Sequence, residues 1–169
     1  MAKKDLEIYL NDHLAGSVTA LEILHFLLNT QAGTAIEHVL IELHDEITAE
    51  QKLLESLMER LQISPSHTRK ATAWFAEKLA ELKLKVEDPS GALHLLEALE
   101  ALSIGIAGKA MLWRTLAATA EEIPPLRDVN YDHLIQQAEA QRMRVEGIRQ
   151  QAARAALGKG PELTGRGST

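Results

Sequence analysis

An apolar stripe that returns every three or four residues over long distances constrains this chain more than any other feature. Leu6, Leu10, Leu14, Val18, Leu21 and Leu28 keep that rhythm over most of residues 4–29. This is the period that gathers apolar side chains on one face of an α-helix. "NTQAG" breaks the pattern. In "TAIE", Thr34 with Glu37 three residues on reads as a capping box, opening a second helix that runs to about Gln62. Ser64 and Pro65 in "SPS" open a third helix, which carries Ala71, Trp74, Phe75, Leu79, Leu82 and Val86 along one side. Proline fits the first helical position because the N–H it lacks would have no helical partner there. Asp88 and Pro89 repeat the device for a fourth helix to about Glu122. After "IPPLRDVN", Asp128 or Asn130 caps a fifth, which ends near Leu157.

The first, second, fourth and fifth helices are each about 26 to 33 residues, or roughly 40 to 50 Å at 1.5 Å per residue. Matched lengths and short turns predict two antiparallel hairpins. The third helix, roughly 33 Å long, is long enough to carry the chain back along the bundle, which would leave the second and fourth helices parallel. The expected fold class is therefore all-α: a four-helix bundle with an additional helix in the crossover connection, occupying residues 1–157. The polar, Gly-rich stretch 158–169, "GKGPELTGRGST", is expected to be a disordered tail.

Composition narrows the function. A length of 169 residues suits one domain. The absence of cysteine excludes disulfides, thiolate catalysis and Cys-ligated metal centres. With 24 Asp and Glu against 18 Lys and Arg, the formal charge is −6. That balance argues against nucleic acid as a partner, since backbone affinity comes from clustered cations. No uninterrupted apolar run is long enough to span a membrane, and no apolar core of a signal peptide follows "MAKKD". A cytoplasmic location is expected.

One residue violates the pattern. Glu50 falls in the stripe of Ile47, Leu54, Met58 and Leu61. A carboxylate buried there without a partner costs several kcal/mol or takes up a proton. In the last helix Arg142 reads as lying between Leu134, Ala138 and Val145. Its guanidinium stays charged at any ordinary pH and matches a carboxylate in shape. A buried Glu50–Arg142 pair is therefore expected, with removal of one partner costing about 3–5 kcal/mol.

Long helices in a one-crossover bundle with an inward Glu resemble the ferritin-like superfamily. In that superfamily two helices each give a Glu and two others each give a Glu-x-x-His, together holding two metal ions. On that resemblance Glu50 and Glu139 would be two of six ligands. Leu53 and Arg142 stand three positions on, where the histidines belong. Folding each hairpin at its turn brings residues 13–17 level with Glu50, and residues 106–111 level with Glu139; neither stretch contains a Glu. What the resemblance implies is a bundle whose di-metal site has been lost and refilled by an ion pair. No cofactor is then expected, and the role would be non-catalytic, structural or interactive, with a homodimer as the default association.

The alternative is a ferritin-like protein that handles iron or manganese through His13, Glu22, His25, Glu50 and Glu139. His13, Ser17 and His25 flank the stripe of the first helix and more often satisfy local hydrogen bonds. Glu22 reads as a solvated flank. His38, Glu42, His44 and Asp45 read as a surface cluster. In "GKAMLWR" Lys109, Trp113 and Arg114 together would suit an anion or nucleotide, but the flanking strand and fuller glycine loop of a phosphate cradle are missing, and Trp113 reads as core. Gly105 and Gly108 inside the fourth helix cost about 1 kcal/mol each relative to Ala, which predicts close packing there against the third helix or a second subunit, with a ligand lying over the glycines as the alternative. A carrier of a small apolar ligand is a third possibility. No strained nucleophile turn or Ser–His–Asp arrangement is legible.

Overall fold

The computed structural model describes residues 2–66, 77, 80 and 90–158. Among them run four long α-helices and no strand: α1 (Ala2–Thr30), α2 (Glu37–Arg60), α3 (Ala92–Thr119) and α4 (Tyr131–Leu157). A 3-10 turn, Pro124–Leu126, joins the last two. Helices α3 and α4 are the fourth and fifth of the sequence reading. The expected third helix with its stripe from Ala71 to Val86, the Asp88–Pro89 start and the tail beyond Gly158 lie outside the described residues.

The helices are 29, 24, 28 and 27 residues long. At 1.5 Å per residue that is about 36 to 44 Å, long enough for each to run the length of one bundle. Helix α1 packs on α2 and α3, and α3 packs on α4. The direction of each pairing follows from its cross-helix bonds. Ser17 meets Gln51 and His25 meets His44 between α1 and α2. Glu42 meets Arg144 and Glu50 meets Gln141 between α2 and α4. Glu100 meets Arg149 and Arg114 meets Glu139 between α3 and α4. Within the last two pairings the residue number rises on one helix as it falls on the other, so α2 and α3 are both antiparallel to α4. They are therefore parallel to each other.

The core forms two clusters along this length. One centres on Ile23, Leu24, Leu27, Leu40, Leu43, Leu99, Leu102 and Val145. The other holds Leu10, Leu14, Leu57, Met58, Trp113, Leu116, Leu126 and Tyr131. On α1 the fully buried face is Leu10, Leu14, Ile23, Leu24 and Leu27, whereas Leu6, Val18, Leu21 and Leu28 are only half-buried. Contact with two neighbours widens the apolar face beyond a single stripe. Helix α3 is buried on opposite sides, at Leu99, Ile106 and Trp113 and at Ala101 and Leu112.

The ends of the helices show local chemistry at work. Asn130 caps α4, its side-chain oxygen accepting from the His133 N–H at 3.1 Å. The expected capping box at Thr34 is corrected. The cap position is Ile36, Thr34 donates its hydroxyl to the Gln31 carbonyl, and Glu37 accepts from the Gly33 N–H. A turn through Gly33, at φ +76°, delays the helix by two residues, so the Glu37 carboxylate reaches back to the turn. At the other end of α2, Ile63 N–H bonds the Met58 carbonyl and Gln62 N–H bonds that of Glu59. This is a Schellman closure, with Gln62 at φ 57° where glycine is usual. No helix among the described residues is long and apolar enough to cross a membrane.

Candidate functional site

Near mid-length the apolar interior is interrupted by a polar layer. It is built on α2, where Glu42, Glu46 and Glu50 recur every fourth residue and so share one helix face. Glu50, the innermost, is only 4 % exposed. Lys109 comes in from α3, with its side chain 14 % exposed, and donates to Glu50 Oε2 and to Gln141 Oε1. Gln141, fully buried on α4, donates through Nε2 to Glu50 Oε1 at 3.2 Å and to Glu46 Oε2 at 2.9 Å. One amide thus uses both N–H groups and its oxygen. Arg144, one turn further along α4, bonds Glu46 and reaches Glu42 at 3.3 Å, carrying the network to the surface.

Burial sets the electrostatics. It lifts the Glu50 carboxyl above the ordinary carboxylate range, against the pull of the Lys109 charge and the bonds from Lys109 and Gln141. It lowers the Lys109 ammonium below the usual lysine value, partly offset by Glu50. For Glu46 burial also works upward, but the bonds from Arg144 and Gln141 outweigh it and hold the carboxyl below its ordinary value. These directions are what desolvation of two opposite charges produces when each is the other's main compensation.

The expected Glu50–Arg142 pair is corrected: the buried cation is Lys109. Arg142 lies on the outside of α4 with its side chain 48 % exposed, bonding Glu139 at 3.1 Å. Glu139 also accepts from Arg114 on α3, and bonds from Arg114 and Arg142 hold its carboxyl below the ordinary value. The reason is angular. The buried face of α4 runs Leu134, Ala138, Gln141, Val145, Ile148 and Ala152, in steps of four and three. Each residue turns the helix by about 100°, so the position after Gln141 points away from the interior.

The metal-ligand alternative is dispersed. His13 is half-buried, its imidazole edge-on to Tyr9 with ring centres 4.7 Å apart. Burial lowers its pKa, against the pull of Asp12. His25 is exposed beside His44, with ring centres 4.9 Å apart; Glu22 is exposed and Glu139 belongs to the outer ion pairs. Among the described residues no three His, Asp or Glu side chains gather where they could hold a metal ion. His38 pairs with Glu42 at 3.0 Å and His44 with Asp45 at 3.4 Å, both at the surface.

Beside the polar layer, between α1, α2 and α3, opens a cavity of about 470 Å³ whose walls include His13, Glu50, Lys109 and Trp113. The third helix and the second copy expected to pack on the α3 glycines are not among the described residues. Among those, a Cβ added at Gly108 would meet nothing within 4 Å, and one at Gly105 would meet only Ala20 Cβ at 4.0 Å. Both glycines, with Gly16 on α1, line the cavity. Comparison with protein-family models, curated proteins and solved structures finds no match to this chain.

Of the site's residues, Gln141 is absent from the sequence-derived candidates, and Lys109 appears there only beside Trp113 and Arg114, not as the partner of Glu50. The signal for Lys109 is its isolation: it is the one charged residue between Glu100 and Arg114, in the otherwise apolar and small run "ALSIGIAGKAMLW". The signal for Gln141 is its place in the four-three spacing of α4.

Proposed function

We propose that this chain is a non-catalytic, ferritin-like helical bundle with a structural or interaction role, in which a lysine stands where related bundles hold metal. The carrying observation is the Lys109 ammonium seated on the innermost carboxylate, Glu50, with Gln141 completing the contacts from α4. The parallel relation of α2 and α3 supports the bundle type, because it is what a one-crossover connection requires. On this view the residues between them form the crossover.

The residues at this position do not fit a pair of iron or manganese ions. Such ions need several anionic oxygens for charge balance and coordination. Here Glu50 has both oxygens engaged by Lys109 and Gln141, and a divalent ion would have to enter beside a buried positive charge. A second copy is the first partner to test, because twofold dimers are the commonest soluble oligomers.

Elemental analysis of freshly purified protein tests the proposal. Substoichiometric iron and manganese, unchanged in Glu50→Ala, is the expected result. Near-stoichiometric metal that disappears in Glu50→Ala would overturn it.

A further inference from the structure

Besides its buried faces, α3 carries a regularly spaced series on its outer side. Glu97, Glu100, Ile104, Ala107, Met111 and Arg114 follow one another in alternating steps of three and four. At about 100° per residue that spacing keeps all six on one side of the helix. None of them is buried, and the two large apolar members are the most open, Ile104 at 51 % and Met111 at 59 %. The packing of α3 on α1 and α4 thus leaves this side uncovered. Alternating steps of three and four around an apolar centre are how one helix seats on another. Ala107 and Gly108 keep that centre low, and a Cβ at Gly108 would meet nothing within 4 Å, so a second helix has room to come close.

Charge says which helix fits. The acids Glu97 and Glu100 lie at the N-terminal end of the series, and Arg114 closes its C-terminal end. Two copies of α3 laid parallel would set each acid against itself, which like charges oppose. Laid antiparallel, about a twofold axis level with Gly105 and Ile106, the same series is complementary to itself. Ile104 then meets the partner's Ala107, and Glu97 meets the partner's Arg114. Each contact occurs twice, as an isologous interface requires. Arg114 already bonds Glu139 in its own chain at 2.9 Å, but its five N–H donors leave capacity for a second carboxylate. Glu100 stays with Arg149 of its own chain and lies beside the partner's Met111.

We infer that the outer side of α3 is a homodimer surface on which two copies pack antiparallel, with Ile104, Ala107 and Met111 at the centre and Glu97 paired with the partner's Arg114. This rests on the interaction role proposed above and not on the polar layer, so metal found by elemental analysis would leave it standing. One helix seated on another is at the small end of stable interfaces, so a dissociation constant of about 10 µM is expected.

Sedimentation equilibrium of the full chain, from about 1 to 200 µM, tests it. The mass should rise with concentration toward twice 18.6 kDa. Ile104→Asp and Met111→Asp should each weaken the dimer about tenfold or more, whereas Met143→Asp, at a position 71 % exposed on α4, should leave it unchanged. Glu97→Arg and Arg114→Glu should each weaken it as well, and their combination should restore it, because the reversed charges meet again across the axis. Circular dichroism identifies which of the two aspartate variants on α3 is folded, and either one suffices. Wild type that stays at 18.6 kDa up to about 200 µM overturns the proposal, and a stripe covered from within the chain would give that result. A dimer that persists in a folded aspartate variant on α3, or a double charge reversal no better than either single one, overturns it too.

Discussion

Lys109 changes what Glu50 means. A carboxylate inside an apolar stripe could be a ligand, a titrating group or half of an ion pair, and the ammonium from α3 selects the last. A pH test follows for Lys109→Met, in which Glu50 loses the partner that opposes its burial. Glu50 already has a folded pKa above its ordinary value, so the folded form holds the proton more tightly than the unfolded chain. Between the raised value and the ordinary one, falling pH therefore stabilises the fold. Removing Lys109 widens that window, so urea midpoints of Lys109→Met should recover toward wild type as pH is lowered from 8 to 5. A constant deficit across that range would contradict the assignment. Arg142→Ala, by contrast, removes only an exposed bond to Glu139, and its thermal melt should overlay that of the wild type. At this scale Glu50 was legible because its spacing placed it inside. Lys109 was not, because it was read as a group with Trp113 and Arg114 and not against Glu50. Arg142 was chosen over Gln141 because charge drew attention where angle should have decided.

Single elements were legible to the extent that their ends are set by local bonds. Asn130 caps α4 by its own side chain, so the sequence narrows the cap to it or Asp128. The start of α2 depends on the left-handed turn at Gly33, and a sequence pattern of Thr followed by Glu does not register that turn. The end of α2 hides a similar choice. Gln62 takes a left-handed conformation to complete the bonds from Ile63 and to bury Ile63 against Met58. A side chain in that conformation costs about 1–2 kcal/mol, part of which glycine gives back through its freer unfolded state. Gln62→Gly is expected to stabilise the chain by roughly 0.5–1 kcal/mol, read from the denaturant midpoint at unchanged slope. A loss of stability would mean that the Gln62 side chain contributes more than its backbone costs.

In the whole molecule, the four described helices and their antiparallel pairing came from periodicity and turn length, which are local properties summed over long segments. The polar layer could not be read that way, since it depends on the relative height and rotation of three helices whose paired residues lie up to 102 positions apart in the chain. The layer lies where the two apolar clusters adjoin, between Ile47 and Leu54 on α2 and between Ile106 and Leu112 on α3. A mismatched rotation of α3 or α4 would leave Glu50 or Lys109 buried and unpaired, so the layer penalises wrong packings more than it rewards the right one.

A double-mutant cycle in chemical denaturation measures that dependence directly, using Glu50→Leu, Lys109→Met and the two combined. Each single change should cost about 3–5 kcal/mol by stranding its partner, and the combined variant should return close to wild-type stability. Single losses that simply add in the double variant would show that the two charges do not compensate one another.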